Sequence, residues 1–298
     1  MNKKTLILMD DMYEMYGLNG KEEDDICFLP LLKRSGDDIN KLYRLLRKIH
    51  FKLALPFESI WLEHWTKVLD KYDTVVIGET SNSNYMAKFI HRNYPKKRII
   101  IWYRNSVSKS SLSPDDIDRS VSEIWSFDKD DCRKYSMRYN GQFYMRSPYY
   151  SEYGGAEYDA FFIGRDKGRL EEILDIKDRL DKLGLKTVFK IVGYNSKPIS
   201  YKECLDYISK SRIIVDIQGA WQQGMTLRPM ESLFYQKKLI TNNKNLTIMD
   251  FYDPNNIFII GKDDMNTLGS FCQKEHSKIK DSIIAQYGLK RWIENFNI

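Results

Sequence analysis

Two loops of this 298-residue chain gather side chains suited to a phosphorylated ligand. In FFIGRDKGR, Arg165, Lys167 and Arg169 directly follow an apolar run, and Gly164 and Gly168 let backbone approach a ligand closely. Such cations suit a diphosphate, because guanidinium offers a bidentate fork to phosphate oxygens. A helix starting near Lys167 would add backbone N–H groups and the positive end of its dipole. The same residues also read as a solvated basic turn. In VDIQGAWQQGMTLRPMESLFYQKKLITNN, a strand ends at Ile217, a loop with Gly224 and Thr226 follows, and Arg228 and Glu231 lie three residues apart on one helix face. Glu231 either caps that helix in its first turn or, being acceptor-only, takes both hydroxyls of a ribose. Gly224 and Thr226 would then line the loop against phosphate.

Loops of this kind must be held by strands. Short β-rich runs, TLILM, TVVIG, RIIIWY and EIWSF, alternate with helical patterns in the first half and predict a parallel sheet with crossover helices. The opening MNKKTLILMDD meets Asp10 and Asp11 after five apolar residues, so it predicts a first strand and not an export signal. QFYMRSPYYSEYGGAEYD, residues 142–159, has no periodicity and predicts a linker. The αβ pattern then restarts with AFFIG, TVFKIVG, RIIVDI, KLIT and NIFII, and closes on HSKIKDSIIAQYGLKRWIENF with a break near Gly288. The expected organisation is residues 1–150, residues 151–275, and a C-terminal helix, 276–298, packing back on the first domain. In doubly wound halves ligands lie at the carboxyl ends of strands.

FIGRDKGRLEEILDIKDRLDKLGLKTVFKIVG with GMTLRPMESLFYQKKLITNN resembles the nucleotide-binding half of GT-B type glycosyltransferases, over roughly residues 160–245. FYDPNNIFII extends the resemblance to a group 1-like set acting in bacterial capsule and lipopolysaccharide biosynthesis. The resemblance implies an α/β GT-B fold, two doubly wound Rossmann-like domains facing each other across a cleft. It implies that Arg165 and Lys167 bind the donor diphosphate, that Gly193 after Ile191 and Val192 lies beside the donor base where Tyr194 would stack, and that Glu231 matches the second Glu of a Glu-x7-Glu motif. Gln223 stands where that motif has its first Glu.

The first half should then hold the acceptor and any general base, which a hydroxyl attacking with inversion needs. Asp10, Asp11 and Glu79 follow strands and are candidates for that base. Arg104 and Asn105, after RIIIWY, are candidates for the acceptor side. Each also reads as a cap or a surface charge. Six Asp-Asp pairs invite a metal reading, yet in an Asp-rich chain they read mostly as caps and turns. The resemblance implies a metal-independent hexosyltransferase-like enzyme, with no cofactor beyond the nucleotide diphosphate sugar it uses as donor. A saccharide or polyprenyl-linked saccharide is the expected acceptor. The rival readings are a non-catalytic partner subunit, to which Gln223 points, and a nucleotide-sugar epimerase of the same fold.

Residues 38–53 predict an amphipathic helix with Ile39, Leu42, Leu46, Ile49 and Leu53 as its core stripe after the caps Asp37 and Asp38. Lys41, Arg44, Arg47, Lys48 and Lys52 lie off that stripe, either solvated or docked on anionic lipid at the inner face of the cell membrane. A net charge of +6, not polarised between the halves, argues against nucleic acid as a partner. Four scattered cysteines and four scattered histidines argue against a disulfide framework or zinc site and fit a reducing cytoplasm.

Overall fold

The computed structural model describes residues 4–10, 22–23, 25–33, 41–53, 55, 57, 60–62, 64–152, 154–219 and 225–297. Asp11, Asp24, Asp37, Asp38, Ile39, Gln223 and Gly224 lie outside the described residues, as do the side chains of Lys41, Leu42, Arg44 and Lys52. The chain divides into two units, residues 1–141 with 295–298, and residues 142–294.

In the first unit the strands are β1 (Thr5–Leu8), β2 (Glu22–Glu23), β3 (Ile26–Leu29), β4 (Thr74–Gly78), β5 (Arg98–Tyr103), β6 (Glu123–Ser126) and β7 (Arg138–Tyr139). They lie in the order β2-β3-β1-β4-β5-β6-β7, with β2 antiparallel to β3 and the other pairs parallel. TLIL, TVVI and IIIWY are buried throughout, as strands of a parallel sheet covered on both faces must be. The chain leaves β1 for β3 on one side and leaves β4 for β5 on the other, so the adjacent β1 and β4 mark a topological switch point. Helices α1 (Lys41–Lys52), α2 (Trp65–Val68), α3 (Ser83–Asn93) and α4 (Lys129–Tyr135) connect the strands.

Helix α1 packs by a face turned away from the aliphatic stripe its sequence predicts, with Leu46 at the boundary between the two. Phe51 is buried and its ring lies 5.0 Å from Tyr85, while Tyr43 and His50 reach Trp61 at 4.9 and 5.8 Å. Leu46, Ile49 and Leu53, expected in the core, are exposed. Two apolar faces compete on this helix, and the aromatic one fits the gap beside Trp61.

The second unit has β8 (Tyr158–Arg165), β9 (Thr187–Val192), β10 (Ser211–Asp216), β11 (Lys238–Thr241) and β12 (Ile257–Ile259), all parallel, in the order β12-β11-β10-β8-β9. Its helices are α5 (Leu170–Lys182), α6 (Tyr201–Ser209), α7 (Leu227–Phe234), α8 (Leu268–Gln273), α9 (Asp281–Ala285) and α10 (Leu289–Glu294). Ile173, Ile176 and Leu180 of α5 pack on Phe162, Phe189 and Ile191 within one core. Here the switch point lies between β8 and β10.

The division between units falls after Gly141, where the expected linker begins, so the whole of residues 142–159 groups with the second unit. Phe143, Tyr144 and Ser147 are buried, Tyr150 stacks on Tyr235 at 4.0 Å, and Arg146 Nε donates to the carbonyl of Phe234. Tyrosine-rich sequence reads as loop, but a tyrosine ring is large enough to anchor a non-periodic segment. Helices α9 and α10 belong to the second unit, with the break at Gly288, and residues 295–298 alone group with the first.

Candidate functional site

At the switch point of the first unit, Leu8, Met9, Asp10, Leu31, Gly78, Glu79, Thr80, Arg104 and Asn105 line a pocket of about 100 Å³. It brings together four residues expected to act on the acceptor side, from the ends of β1, β4 and β5. Asp10 is partly committed to structure, since its Oδ1 accepts the N–H of Leu31 at 2.7 Å. Glu79 Oε1 accepts the N–H and the hydroxyl of Ser111 at 3.1 and 3.0 Å, which fixes its direction. The other Glu79 oxygen has no bonded partner among the described residues. Arg104 is half-buried and Asn105 exposed.

In the second unit, Arg165 and Lys167 are exposed at the end of β8. On the neighbouring strand end Gly193 has φ 92°, a left-handed turn that favours glycine, and Tyr194 is 58% exposed. The crevice between β8 and β10 is occupied by Arg169, which belongs to the same basic loop. Its guanidinium donates to the carbonyls of Arg165, at the end of β8, and Ile217, just past β10. Gly164 makes this possible, because a Cβ there would stand 3.1 Å from Arg169 Nη2. Burial pulls the Arg169 pKa down, opposed by Asp216, Glu172 and Asp166.

Below it, buried Asp216 accepts from Gln218 Nε2 and Thr226 Oγ1 at 2.9 and 3.1 Å. Burial pushes its carboxyl up against the pull of those bonds. Gln218 and Asn242 lock together, Gln218 N–H on Asn242 Oδ1 and Asn242 Nδ2 on the Gln218 carbonyl, both at 2.8 Å. Asp216 and Gln218 were not singled out from sequence; the polar pair in IIVDIQG, at the end of a buried strand, was the available signal.

Three expectations need correction. The α5 N-terminus is not a free anion cradle: the helix starts at Leu170 with Glu171 and Glu172 in its first turn, and Asp166 Oδ1 takes the N–H groups of Gly168 and Arg169. Glu231 is not a cap, for it is the fifth residue of α7, whose N-cap is Thr226. Nor does its carboxylate face a ligand. It is 0% exposed, with Oε1 accepting from Tyr201 at 3.0 Å and Oε2 from Arg228. Arg228 also donates to Cys204 Sγ at 3.2 Å, so its guanidinium is turned inward and not toward phosphate. Burial pushes the Glu231 carboxyl up and Arg228 pulls it back, while burial pushes the Cys204 thiol up to about 11.

Members of the Asp pairs act as caps and loop acceptors where described: Asp264 caps the short 3-10 turn Met265–Thr267, Asp263 Oδ2 accepts the N–H of Ile259, and Asp131 Oδ2 accepts the N–H of Val107. Among the described residues no three His, Cys, Asp or Glu side chains are gathered as metal ligands, and no helix is long and apolar enough to cross a membrane.

No protein-family model and no curated protein sequence matches the chain. Among solved structures it is similar to the apo form of the lipopolysaccharide outer core galactosyltransferase WaaB, at 13% identity over 99% of this chain and 98% of that one, with a TM-score of 0.51. A glycosylation associate protein (Gap123) complex from Streptococcus agalactiae is similar at 13% identity over 78% of this chain and 54% of that one, with a TM-score of 0.41. Two parallel, doubly wound α/β units, with a WaaB likeness running along almost the whole chain, give this protein a GT-B glycosyltransferase-like fold.

Proposed function

We propose that the chain is a glycosyltransferase that moves a sugar from a nucleotide diphosphate sugar to a saccharide or polyprenyl-linked saccharide of a bacterial surface polysaccharide. The observation that carries this reading is the exposed pair Arg165 and Lys167 at the end of β8, beside the exposed ring of Tyr194 at the end of β9. Arg165 and Lys167 hold the diphosphate and stabilise charge developing on the leaving group. Tyr194 offers its face to the base. Glu79, held by Ser111, takes the proton of the attacking hydroxyl, while Asp10, Arg104 and Asn105 supply hydrogen bonds to an acceptor sugar.

Charge-assisted contacts contribute about 1.5–3 kcal/mol, so Arg165→Ala should weaken uridine diphosphate binding roughly tenfold or more. Because Arg165 is exposed, its loss should leave the melting temperature unchanged. Calorimetric titration of both forms with uridine, guanosine and cytidine diphosphates tests this, and equal affinity for the tightest ligand would remove the assignment.

A non-catalytic partner subunit is the second reading, favoured by the burial of Glu231 and by Glu171 and Glu172 at the start of α5, where they oppose an anion. It expects no nucleoside diphosphate to bind even at about 1 mM, a level where a working donor site would be largely filled.

A further inference from the structure

We propose that Arg169 is a positioning residue, which ties the loop after β8 to the end of β10 and so holds Arg165 and Lys167 in place for a diphosphate. It acts through those two cations, and its role therefore rests on their taking the donor diphosphate. Arg169 Nη2 and Nε donate to the carbonyl of Arg165 at 3.1 and 3.4 Å, and Nη1 donates to the carbonyl of Ile217. A guanidinium so placed staples one backbone to another, because its planar fork carries donors in fixed directions. Both partners are neutral carbonyls, so geometry and not charge pairing sets where the guanidinium sits.

The loop that carries the two cations is held as closely within itself. Asp166 Oδ1 accepts the N–H groups of Gly168 and Arg169, both at 3.1 Å, and the Asp166 carbonyl accepts the N–H of Arg169 at 3.1 Å. Lys167 stands in this turn at φ 48°, in the left-handed region that a lysine keeps only where its surroundings hold it there. The bonds of Asp166 are internal to the turn. Arg169 closes the turn back on Arg165 and carries it across to β10.

The far end of the staple is a fixed point. Gln218, next to Ile217, is locked to Asn242 just past β11, and Asp216, the last residue of β10, accepts from Thr226, the N-cap of α7. The frame to which Arg169 fastens the cationic loop therefore includes the ends of β8, β10 and β11 and the start of α7. Arg165 and Lys167 are exposed, and long exposed cations on an unfastened loop must be ordered when an anion binds, which lowers affinity. Fastening the loop beforehand removes part of that loss.

The test is calorimetric titration of the whole chain with uridine, guanosine and cytidine diphosphates and with the matching monophosphates. Arg169→Gln should weaken the tightest diphosphate roughly tenfold, the size expected when two long cations lose their preset places, and its monophosphate by about threefold or less. Added to Arg165→Ala, the same change should weaken the diphosphate by only about threefold or less, because a positioning residue acts through the groups it positions. Arg169→Lys keeps the charge and loses the fork, so it should show the same selective loss should the glutamine variant fail to fold. Unchanged diphosphate affinity in the Arg169 variants, or an equal loss for diphosphate and monophosphate as general loosening would give, overturns the positioning role. A full tenfold loss added to that of Arg165→Ala would put Arg169 on the phosphate itself and overturn it too. If Arg165→Ala alone binds the diphosphates like the parent, the donor reading fails and the positioning role with it; a weakened Arg165→Ala beside unchanged Arg169 variants removes the positioning role only.

Discussion

Glu231 shows how a side chain can be placed correctly by its motif and yet do other work. Its position, on the helix after β10 and three residues from Arg228, was legible from spacing. Its depth was not, because burial depends on Tyr201 and Cys204, which arrive from α6 about thirty residues earlier and close over the carboxylate. A buried carboxylate paired with one guanidinium is tolerated because each supplies the other's partner, so removing either leaves an uncompensated charge in a medium that solvates it badly. Glu231→Gln should therefore cost about 3–5 kcal/mol of stability, read as a clear fall in the thermal or urea midpoint. Replacing both partners, as in Arg228→Met with Glu231→Leu, should recover most of that loss, because an apolar pair of similar volume needs no solvation. A Glu231→Gln variant as stable as the parent would show that the carboxylate is not buried against Arg228. Arg165, by contrast, stands exposed as its loop sequence suggested.

Strands β1, β4, β5 and β10, and the central run of β8, were legible because both faces of a parallel sheet are covered, which forces apolar runs; the edge strand β9 was legible from its alternating buried Phe189 and Ile191. Helix α1 was legible as a helix and not as a packed face, since an outward aliphatic stripe has the same period as an inward one. The region around β11 gives an element-level consequence that no pattern reveals. Lys238 begins this strand buried, its Nζ donating to the carbonyls of Phe271 and Lys274 at 2.7 and 2.9 Å, so it closes the C-terminal end of α8. His276 lies just beyond, its Nε2 buried without a hydrogen-bond partner among the described residues. Burial, with help from Lys238 and Lys237 and against Asp253, lowers its pKa to about 4. The unfolded chain protonates this imidazole near the ordinary value of about 6.5, whereas the folded chain does so only near 4, so the unfolded state binds more protons in between. Stability from this group is complete above that ordinary value and is lost as pH falls toward 4, by roughly 2 kcal/mol after allowance for partial exposure. Melting temperatures measured across that range should fall more steeply for the parent than for His276→Gln. Parallel curves would mean that the imidazole is solvated.

Two doubly wound units could be foreseen because the αβ alternation stops and restarts, but their limits could not, since both are set by single aromatic residues in segments without period. At the first crossing Tyr144 is already inside the second unit, its hydroxyl 2.6 Å from that of Tyr201 and 3.1 Å from that of Tyr235. At the other, Trp292 of α10 packs on Phe143 at 4.4 Å in the second unit, and four residues later Phe296 lies in the first. Phe296 is 0% exposed, its ring 4.9 Å from Trp125 of β6. The carbonyl of Asn297 accepts from Arg98 of β5 at 3.3 Å, and Arg98 also grips Glu123 of β6 at 2.7 Å. Phe296 and Asn297 thus pack against β5 and β6, interior strands of a sheet that lies far upstream in the chain. Deleting residues 295–298 removes a buried phenylalanine, for which large-to-small substitutions lose about 3–5 kcal/mol, and opens Trp125 to water. That loss should fall on the first unit although the deletion follows the second in sequence. Hydrogen exchange should therefore report lowered protection in β5 and β6 while β8 and β10 keep theirs. If β8 and β10 lost protection and β6 did not, residues 295–298 would belong to the unit they follow.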